Sequence, residues 1–254
     1  MVASIPYNPW INCCTPNPRA QLRLFCFPYA GGNAAIFRDW HRELPSTLEV
    51  CPVELPGRSS RMREPLPRDM PSLIEALGEG LRPYVDRPYV LFGHSFGALV
   101  AFEFARYCRD RYDRQPHCLL VSGRQAPHFP DPSPIHALPE EEFIQELKRL
   151  NGTPQEILEN SDMMQLLVPI LRGDLEIDET YEIKAEPPLE IPIAAFGGDR
   201  DPEASKIQLQ AWSQHGKNDF SLQMFPGDHF FINTERSLLL QALSQKLRNV
   251  GKTE

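Results

Sequence analysis

The stretch Phe92-Gly93-His94-Ser95-Phe96-Gly97 carries a G-x-S-x-G pentapeptide between two different hydropathy patterns. The apolar run 89–92 before it indicates a buried strand, and the small and apolar residues 98–107 after it indicate a helix. Where a strand turns sharply into a helix at this motif, the serine hydroxyl is lifted above the edge of a sheet. The two outer glycines suit such a turn because side chains would collide where strand and helix cross. The stretch therefore predicts that Ser95 is a nucleophile.

Alternating apolar runs and helical patterns continue on both sides of this turn. Helical patterns lie between most of the predicted strands, which favours a mostly parallel central sheet flanked by helices, and with the serine turn it predicts an α/β-hydrolase fold. We expect one domain over residues 1–254. The predicted strands are 22–27, 50–54, 89–92, 118–122, 191–196 and 221–225, and the predicted helices are 34–44, 72–85, 98–109, 204–214 and 235–247.

The region 125–188 interrupts this alternation. It opens with a proline-rich segment and continues with amphipathic patterns at 140–150, 154–160 and 161–171. About 60 residues without a strand exceed what a simple crossover needs, although an elaborated connection would also fit. We expect a helical lid inserted over the active site, where substrate selectivity often resides.

Composition and charge exclude several functional classes. The chain has 254 residues, 41% of them hydrophobic and 24% charged, as is usual for globular proteins. Its formal net charge of −8, without a long basic stripe, argues against nucleic-acid binding. No apolar stretch approaches the roughly 18 residues of a membrane span, and no secretory signal is evident. We therefore expect neither a nucleic-acid nor a membrane partner.

The cysteines and histidines give no metal signature. Six cysteines are scattered without a C-x-x-C pair, and no His/Cys cluster has metal-ligand spacing. We therefore expect no metal and no cofactor, and cysteines that remain reduced in the cytoplasm.

A serine nucleophile needs a base and a group that orients the base, and in this fold they follow in the order Ser, Asp or Glu, His. His229 follows the last predicted strand and is the expected base, whereas His215 ends a helix and is expected to be a solvated surface residue. The acid should follow the preceding strand, where Asp199 and Asp201 both stand. We favour Asp201 as the catalytic acid and expect Asp199 to stabilise the turn.

Two backbone amides should stabilise the tetrahedral oxyanion. The N–H of Phe96 follows the nucleophile at the start of a helix, where the helix dipole helps. The loop Pro28-Tyr29-Ala30-Gly31-Gly32 follows the first strand, and its glycines allow close approach of the backbone. We expect the second donor to be the Ala30 N–H, although a plain tight turn would also account for the glycines.

Several segments together resemble the type II thioesterases of polyketide and nonribosomal peptide synthesis. The resemblance extends over most of the chain, and its most distinctive part is Glu54-Leu55-Pro56-Gly57-Arg58, which general lipases and esterases lack. Asp228 departs from the family, which usually has glycine before the histidine. The further matching segments are 23–32, 37–40, 93–97, 171–174, 179–181, 196–202 and 229–231.

The resemblance implies hydrolysis of acyl or aminoacyl groups from the phosphopantetheine arm of acyl or peptidyl carrier proteins. Such enzymes act in trans, as monomers, to clear stalled or misprimed synthases. The substrate then carries the phosphopantetheine, and the enzyme needs no cofactor.

An arginine-rich segment follows the Leu-Pro-Gly motif. Carrier proteins are acidic around the modified serine, so Arg58, Arg61, Arg63 and Arg68 form a candidate basic docking patch on an otherwise acidic chain. A solvated loop in which Arg58 holds a structural carboxylate is an equally good interpretation.

Other functions compete with carrier-protein editing. A carboxylesterase would act on small oxygen esters, and an integrated chain-releasing thioesterase would release the full-length product of a larger synthase. A non-catalytic carrier-binding homologue would keep the fold without turnover, but the complete set Ser95, Asp201 and His229 argues against it.

Overall fold

A computed structural model describes residues 8–131 and 133–248, so the ends of the predicted 1–254 domain lie outside the described ranges. Its centre is a six-stranded sheet in the order β2-β1-β3-β4-β5-β6. Every pair of neighbouring strands is parallel, which confirms the predicted α/β-hydrolase architecture. The strands are β1 (Leu22–Phe27), β2 (Leu48–Pro52), β3 (Tyr89–His94), β4 (Leu119–Ser122), β5 (Ile193–Gly198) and β6 (Phe220–Phe225).

Helices cover both faces of this sheet, and the residues of each strand alternate between the two cores. Phe25 and Phe27 of β1 pack into one core, whereas Leu24 and Cys26 pack into the other. The α-helices are α1 (Met70–Leu81), α2 (Phe96–Tyr112), α3 (Glu140–Leu150), α4 (Gln155–Leu158), α5 (Ser161–Glu179), α6 (Lys206–Gln210), α7 (Phe231–Thr234) and α8 (Arg236–Leu247).

The predicted helix 34–44 is instead two 3₁₀ turns, Ala34–Phe37 and Trp40–Arg42. A 3₁₀ turn repeats every three residues, so Phe37 and Trp40 fall on one side with their ring centroids 4.9 Å apart. Both rings pack against Phe92 of β3. Burial of these aromatic rings therefore outweighs the preference of the segment for a regular helix.

Helix α5 continues eight residues beyond the predicted end at residue 171, to Glu179. The prediction stopped before Gly173, a residue that often ends helices. Here the missing side chain of Gly173 allows Leu66 to pack closely against the helix, because a Cβ at this position would lie only 3.2 Å from Leu66 Cδ1. The extension matters because it carries Asp174 and Asp178 towards the carboxyl ends of the strands.

Helices α3, α4 and α5 lie in the region 125–188 and share a hydrophobic cluster of their own. Phe143 and Leu147 of α3 pack there with Met164, Val168 and Leu171 of α5. We refer to residues 125–188 as the lid. Across residues 8–131 and 133–248, no helix has both the length and the apolar character needed to cross a membrane.

Candidate active site

Ser95 lies between β3 and α2 in a strained backbone conformation, with φ of 55° and ψ of −126°. For a residue with a side chain this costs about 1–3 kcal/mol. The neighbouring glycines are required sterically: a Cβ at Gly93 would lie 2.0 Å from the Gly97 carbonyl oxygen, and one at Gly97 would lie 2.2 Å from the Phe27 carbonyl oxygen. The turn places Ser95 at the wall of a cavity of about 800 Å³.

His229 and Asp201 meet at the same end of the sheet. His229 Nδ1 lies 3.1 Å from Oδ1 and 3.0 Å from Oδ2 of Asp201, and the two side chains are 8% and 0% exposed. Because a carboxylate accepts from Nδ1–H, the ring is held with Nε2 as its acceptor nitrogen. His229 lines the cavity together with Ser95. The structure thus brings the three predicted residues to one site.

The alternative acids have other partners. Asp199 Oδ1 accepts the Gly227 N–H at 2.9 Å and so holds the loop that precedes His229. Asp228 Oδ1 accepts the Phe230 N–H at 2.9 Å. Among these carboxylates, only Asp201 is bonded to a histidine ring that faces the cavity.

His215, which we expected to be solvated, is instead half-buried. Its Nε2 lies 2.8 Å from His128 Nδ1, and burial lowers the pKa of His215 to about 4.

The predicted oxyanion donors are the N–H groups of Phe96, which follows Ser95, and of Ala30, in the loop after β1. Phe96 is the first residue of α2, so its N–H lacks an acceptor within the helix. In the loop after β1, the Gly31 N–H donates to Asp174 Oδ2 at 2.8 Å and the Gly32 N–H donates to the Tyr29 carbonyl at 2.8 Å. Within the described residues the Ala30 N–H has no protein acceptor, and Ala30 lines the cavity. This geometry is compatible with Ala30 and Phe96 as the oxyanion donors.

Arg58 is not a docking residue but holds a structural carboxylate, which is the alternative interpretation that the sequence left open. It is 2% exposed, and its Nη1 and Nη2 donate to the two Asp174 carboxylate oxygens at 2.6 and 2.7 Å. Arg58 Nη1 also donates to the Gly32 carbonyl at 3.1 Å. Together with the Gly31 bond, this buried ion pair ties the oxyanion loop to α5 of the lid. We call Arg58 and Asp174 the clasp.

Arg61 is buried as well, so it too cannot contact a carrier protein. It is 5% exposed, its guanidinium lies 3.8 Å from the Trp10 ring centroid, and it donates to the Glu54 carbonyl and to Glu64. The arginine stem fills apolar space, and its head is saturated with acceptors. Arg63, by contrast, is exposed. The predicted docking patch is therefore reduced to Arg63 and its exposed neighbour Arg68.

Sequence reasoning missed His94, which joins the serine turn to the histidine loop. His94 Nε2 lies 3.0 Å from the His229 carbonyl oxygen, and Nδ1 lies 2.9 Å from Ser122 Oγ. Burial and the neighbouring His229 lower the pKa of His94 well below its usual value, so the ring is neutral. A proton on Nε2 can then bond the carbonyl while Nδ1 accepts from Ser122. The only sequence signal was its place inside the serine motif.

The cavity is formed by the strand ends and the lid, and its wall contains many charged side chains. Six acidic side chains and two arginines line it: Asp131, Glu142, Glu146, Asp178, Glu179, Glu203, Arg124 and Arg149. Within the described ranges no group of three or more His, Cys, Asp or Glu side chains has the arrangement of a metal site.

Comparison with known proteins places this geometry in a family. A family model described as a thioesterase domain matches residues 22–247. The chain is 43% identical to linear gramicidin dehydrogenase LgrE of Brevibacillus parabrevis, covering 94% of this chain and 93% of that protein. It is 41% identical to gramicidin S biosynthesis protein GrsT of Aneurinibacillus migulanus, with 96% and 95% covered. The structure of BorB, a type II thioesterase from the borrelidin biosynthetic cluster, matches with a TM-score of 0.86 at 34% identity, covering 96% of this chain and 100% of BorB.

The name of LgrE denotes a dehydrogenase, whereas the family model and BorB denote thioesterases. The serine turn and the buried His229–Asp201 pair are the apparatus of acyl transfer, and so they agree with the family model and with BorB. The resemblance noted from the sequence is thereby confirmed. The chain belongs to the thioesterase family and is a serine hydrolase of thioesters.

Proposed function

We propose that this thioesterase removes acyl and aminoacyl groups from the phosphopantetheine arm of carrier proteins in nonribosomal peptide or polyketide synthesis, and so clears stalled or misprimed units. The observation that carries the proposal is that His229, bonded to Asp201 at 3.0 Å, lines one cavity with Ser95 in a chain of the thioesterase family. The relatives from gramicidin and borrelidin biosynthesis support the carrier-bound substrate. The partner is an acidic carrier protein, and the enzyme acts on it as a monomer.

In the first half-reaction, His229 Nε2 takes the Ser95 hydroxyl proton as the serine oxygen attacks the thioester carbonyl carbon. The carbonyl oxygen becomes an oxyanion held by the Ala30 and Phe96 N–H groups. Asp201 stabilises the imidazolium that forms. When the tetrahedral intermediate collapses, the C–S bond breaks, and the pantetheine sulfur leaves with the proton from His229 as a free thiol.

In the second half-reaction, water replaces the thiol. His229 takes a proton from water as the water oxygen attacks the acyl-Ser95 ester, and the same two amides hold the second oxyanion. Collapse breaks the bond to the serine oxygen, which recovers its proton from His229. The products are a carboxylic acid and a carrier protein with a free thiol arm.

The test is thiol release from acetyl-, hexanoyl- and aminoacyl-carrier proteins by wild type, Ser95→Ala and Ser133→Ala. Ser133 lines the same cavity but is exposed and away from the serine turn, so it is the matched control. We expect turnover in wild type and Ser133→Ala and its loss in Ser95→Ala. Rapid hydrolysis of p-nitrophenyl esters with no turnover of any acyl-carrier protein would overturn the proposal and favour a carboxylesterase.

A further inference from the structure

The wall of the cavity contains a buried charge pair that the hydrolytic mechanism does not use. Asp178 of α5 and Arg124, which follows β4, have side chains only 9% and 10% exposed, and Arg124 Nη2 lies 3.1 Å from Asp178 Oδ1. Both residues line the cavity that contains Ser95 and His229. The pair therefore borders the same cavity as the nucleophile and the base.

This pair is incompletely satisfied. The approach of Nη2 is not aligned as a hydrogen bond, and Asp178 Oδ1 and Arg124 Nε are both buried without a hydrogen-bond partner. Buried charges normally saturate their hydrogen-bonding capacity because unmet capacity is costly. Glu179, the next residue, shows the ordinary case, since its Oε2 accepts from the Ile135 N–H, the His136 N–H and His136 Nδ1. The Asp178 carboxylate, which lines the cavity, thus has unfilled acceptor capacity.

The surrounding charge decides which ligand fits. Asp178 is flanked by Asp131, Asp174 and Glu179, with Arg124 as its cationic neighbour. Glu142 and Glu203 of the wall are exposed and screened. Asp131, Asp178 and Glu179 are more buried and give the wall a negative field that opposes anions. An acyl carboxylate would have to reach Arg124 past these groups. The same field attracts a cationic group, and the Asp178 carboxylate can accept a hydrogen bond from it.

We propose that the cavity selects acyl groups that carry an amine, and that the Asp178 carboxylate binds the substrate ammonium group. This inference rests on the proposed thioesterase function and names Asp178 as its specificity-determining residue. A site with a buried carboxylate should strongly prefer a substrate with an ammonium group over one with a methyl group in the same place. The ammonium group donates a charge-assisted hydrogen bond, whereas the methyl group leaves the carboxylate unpaired.

Three thioesters of N-acetylcysteamine test the inference without a carrier protein: alanyl, isobutyryl and methylmalonyl. They share one skeleton and differ in the group on the α-carbon, which is ammonium, methyl or carboxylate. The variants are Asp178→Asn and the matched control Glu142→Gln, which also removes one carboxylate from the cavity wall but at an exposed position. The readout is the ratio of kcat/KM for alanyl to that for isobutyryl thioester.

We expect the alanyl/isobutyryl ratio to fall at least about tenfold in Asp178→Asn, the effect of losing one charge-assisted hydrogen bond. In Glu142→Gln we expect a change of less than about twofold, because an exposed charge is screened. The comparison between variants cancels the greater intrinsic reactivity of the alanyl thioester, and a ratio does not depend on the fraction of folded enzyme. An unchanged ratio in Asp178→Asn, or an equal fall in Glu142→Gln, would overturn the inference, as would preference for methylmalonyl.

A second measurement needs no variant. Two thioethers of N-acetylcysteamine that cannot be hydrolysed, 2-aminopropyl and isobutyl, are compared as competitive inhibitors of isobutyryl hydrolysis by wild type. Tighter inhibition by the amine supports the inference, and equal or weaker inhibition contradicts it. Failure of the inference is distinguishable from failure of the thioesterase function. Isobutyryl turnover without amine preference would contradict only the inference about Asp178, whereas no turnover of any thioester would contradict both.

Discussion

The clasp between Arg58 and Asp174 predicts that a residue remote from the reacting atoms controls kcat. Asp174 Oδ2 accepts both the Gly31 N–H at 2.8 Å and Arg58 Nη1 at 2.6 Å, while Oδ1 accepts Nη2 at 2.7 Å. In Asp174→Asn an amide nitrogen must face one of these donors. The buried guanidinium then loses its counter-charge, and the oxyanion loop loses part of its attachment to α5.

The magnitudes follow from burial. Arg58 and Asp174 side chains are 3% and 2% exposed, so solvent does not screen the loss. Removing one partner of such a pair costs about 3–5 kcal/mol of unfolding free energy, and an isosteric amide should lie near the lower end. Removing one oxyanion donor outright costs about 10²–10³ in kcat. Displacing the loop that carries Ala30 should cost less, about 10- to 100-fold.

The assay pairs urea unfolding with steady-state hydrolysis of one acyl thioester at a temperature where each variant is folded. The informative control is the double variant Arg58→Met with Asp174→Leu, because apolar replacement of both partners of a buried ion pair is often nearly neutral for stability. We expect the double variant to recover stability relative to Asp174→Asn while kcat stays low, since neither side chain can accept the Gly31 N–H. A double variant with wild-type kcat would refute the role of the clasp in positioning the oxyanion loop.

Three other predictions concern the triad, the docking surface and the buried carboxylate. Asp201→Asn should lower kcat about 10⁴-fold, whereas Asp199→Asn should change it less than about tenfold; single-turnover rates separate the two. Arg63→Glu combined with Arg68→Glu should raise KM for acyl-carrier protein but not for a small thioester, and equal effects on both would exclude docking there. Burial raises the pKa of Asp178 to about 6 from its usual 3.8, so the native protein holds this proton where the unfolded chain has released it. Unfolding free energy should therefore fall by about 2 kcal/mol as pH rises from 4 to 6, and Asp178→Asn should abolish that fall in denaturant titrations.

The strands and the elements of the triad were predictable because they depend on local patterns. Buried parallel strands are continuous apolar runs, and the serine turn, Asp201 and His229 each follow such a run within a few residues. A structural carboxylate at Arg58 was one of two open interpretations, but its identity was not predictable, because Arg58 and Asp174 are 116 positions apart and meet only through the lid. A cluster of arginines in sequence looks like a surface patch. Whether each guanidinium is buried depends on tertiary partners such as Trp10, which no local pattern specifies.

Helix α5 shows why the two carboxylates on one of its faces require different explanations. Asp174 and Asp178 are one turn apart and both buried. Asp174 accepts three hydrogen bonds and so has the properties of a structural anchor. Asp178 Oδ1 faces Arg124 Nη2 at 3.1 Å but accepts no hydrogen bond, so the cost of its desolvation is only partly offset. An ammonium ligand would relieve the desolvation that raises the pKa of Asp178. The fall in unfolding free energy between pH 4 and 6 and the amine preference should therefore both disappear in Asp178→Asn, whereas a purely structural carboxylate would account for the loss of the first alone.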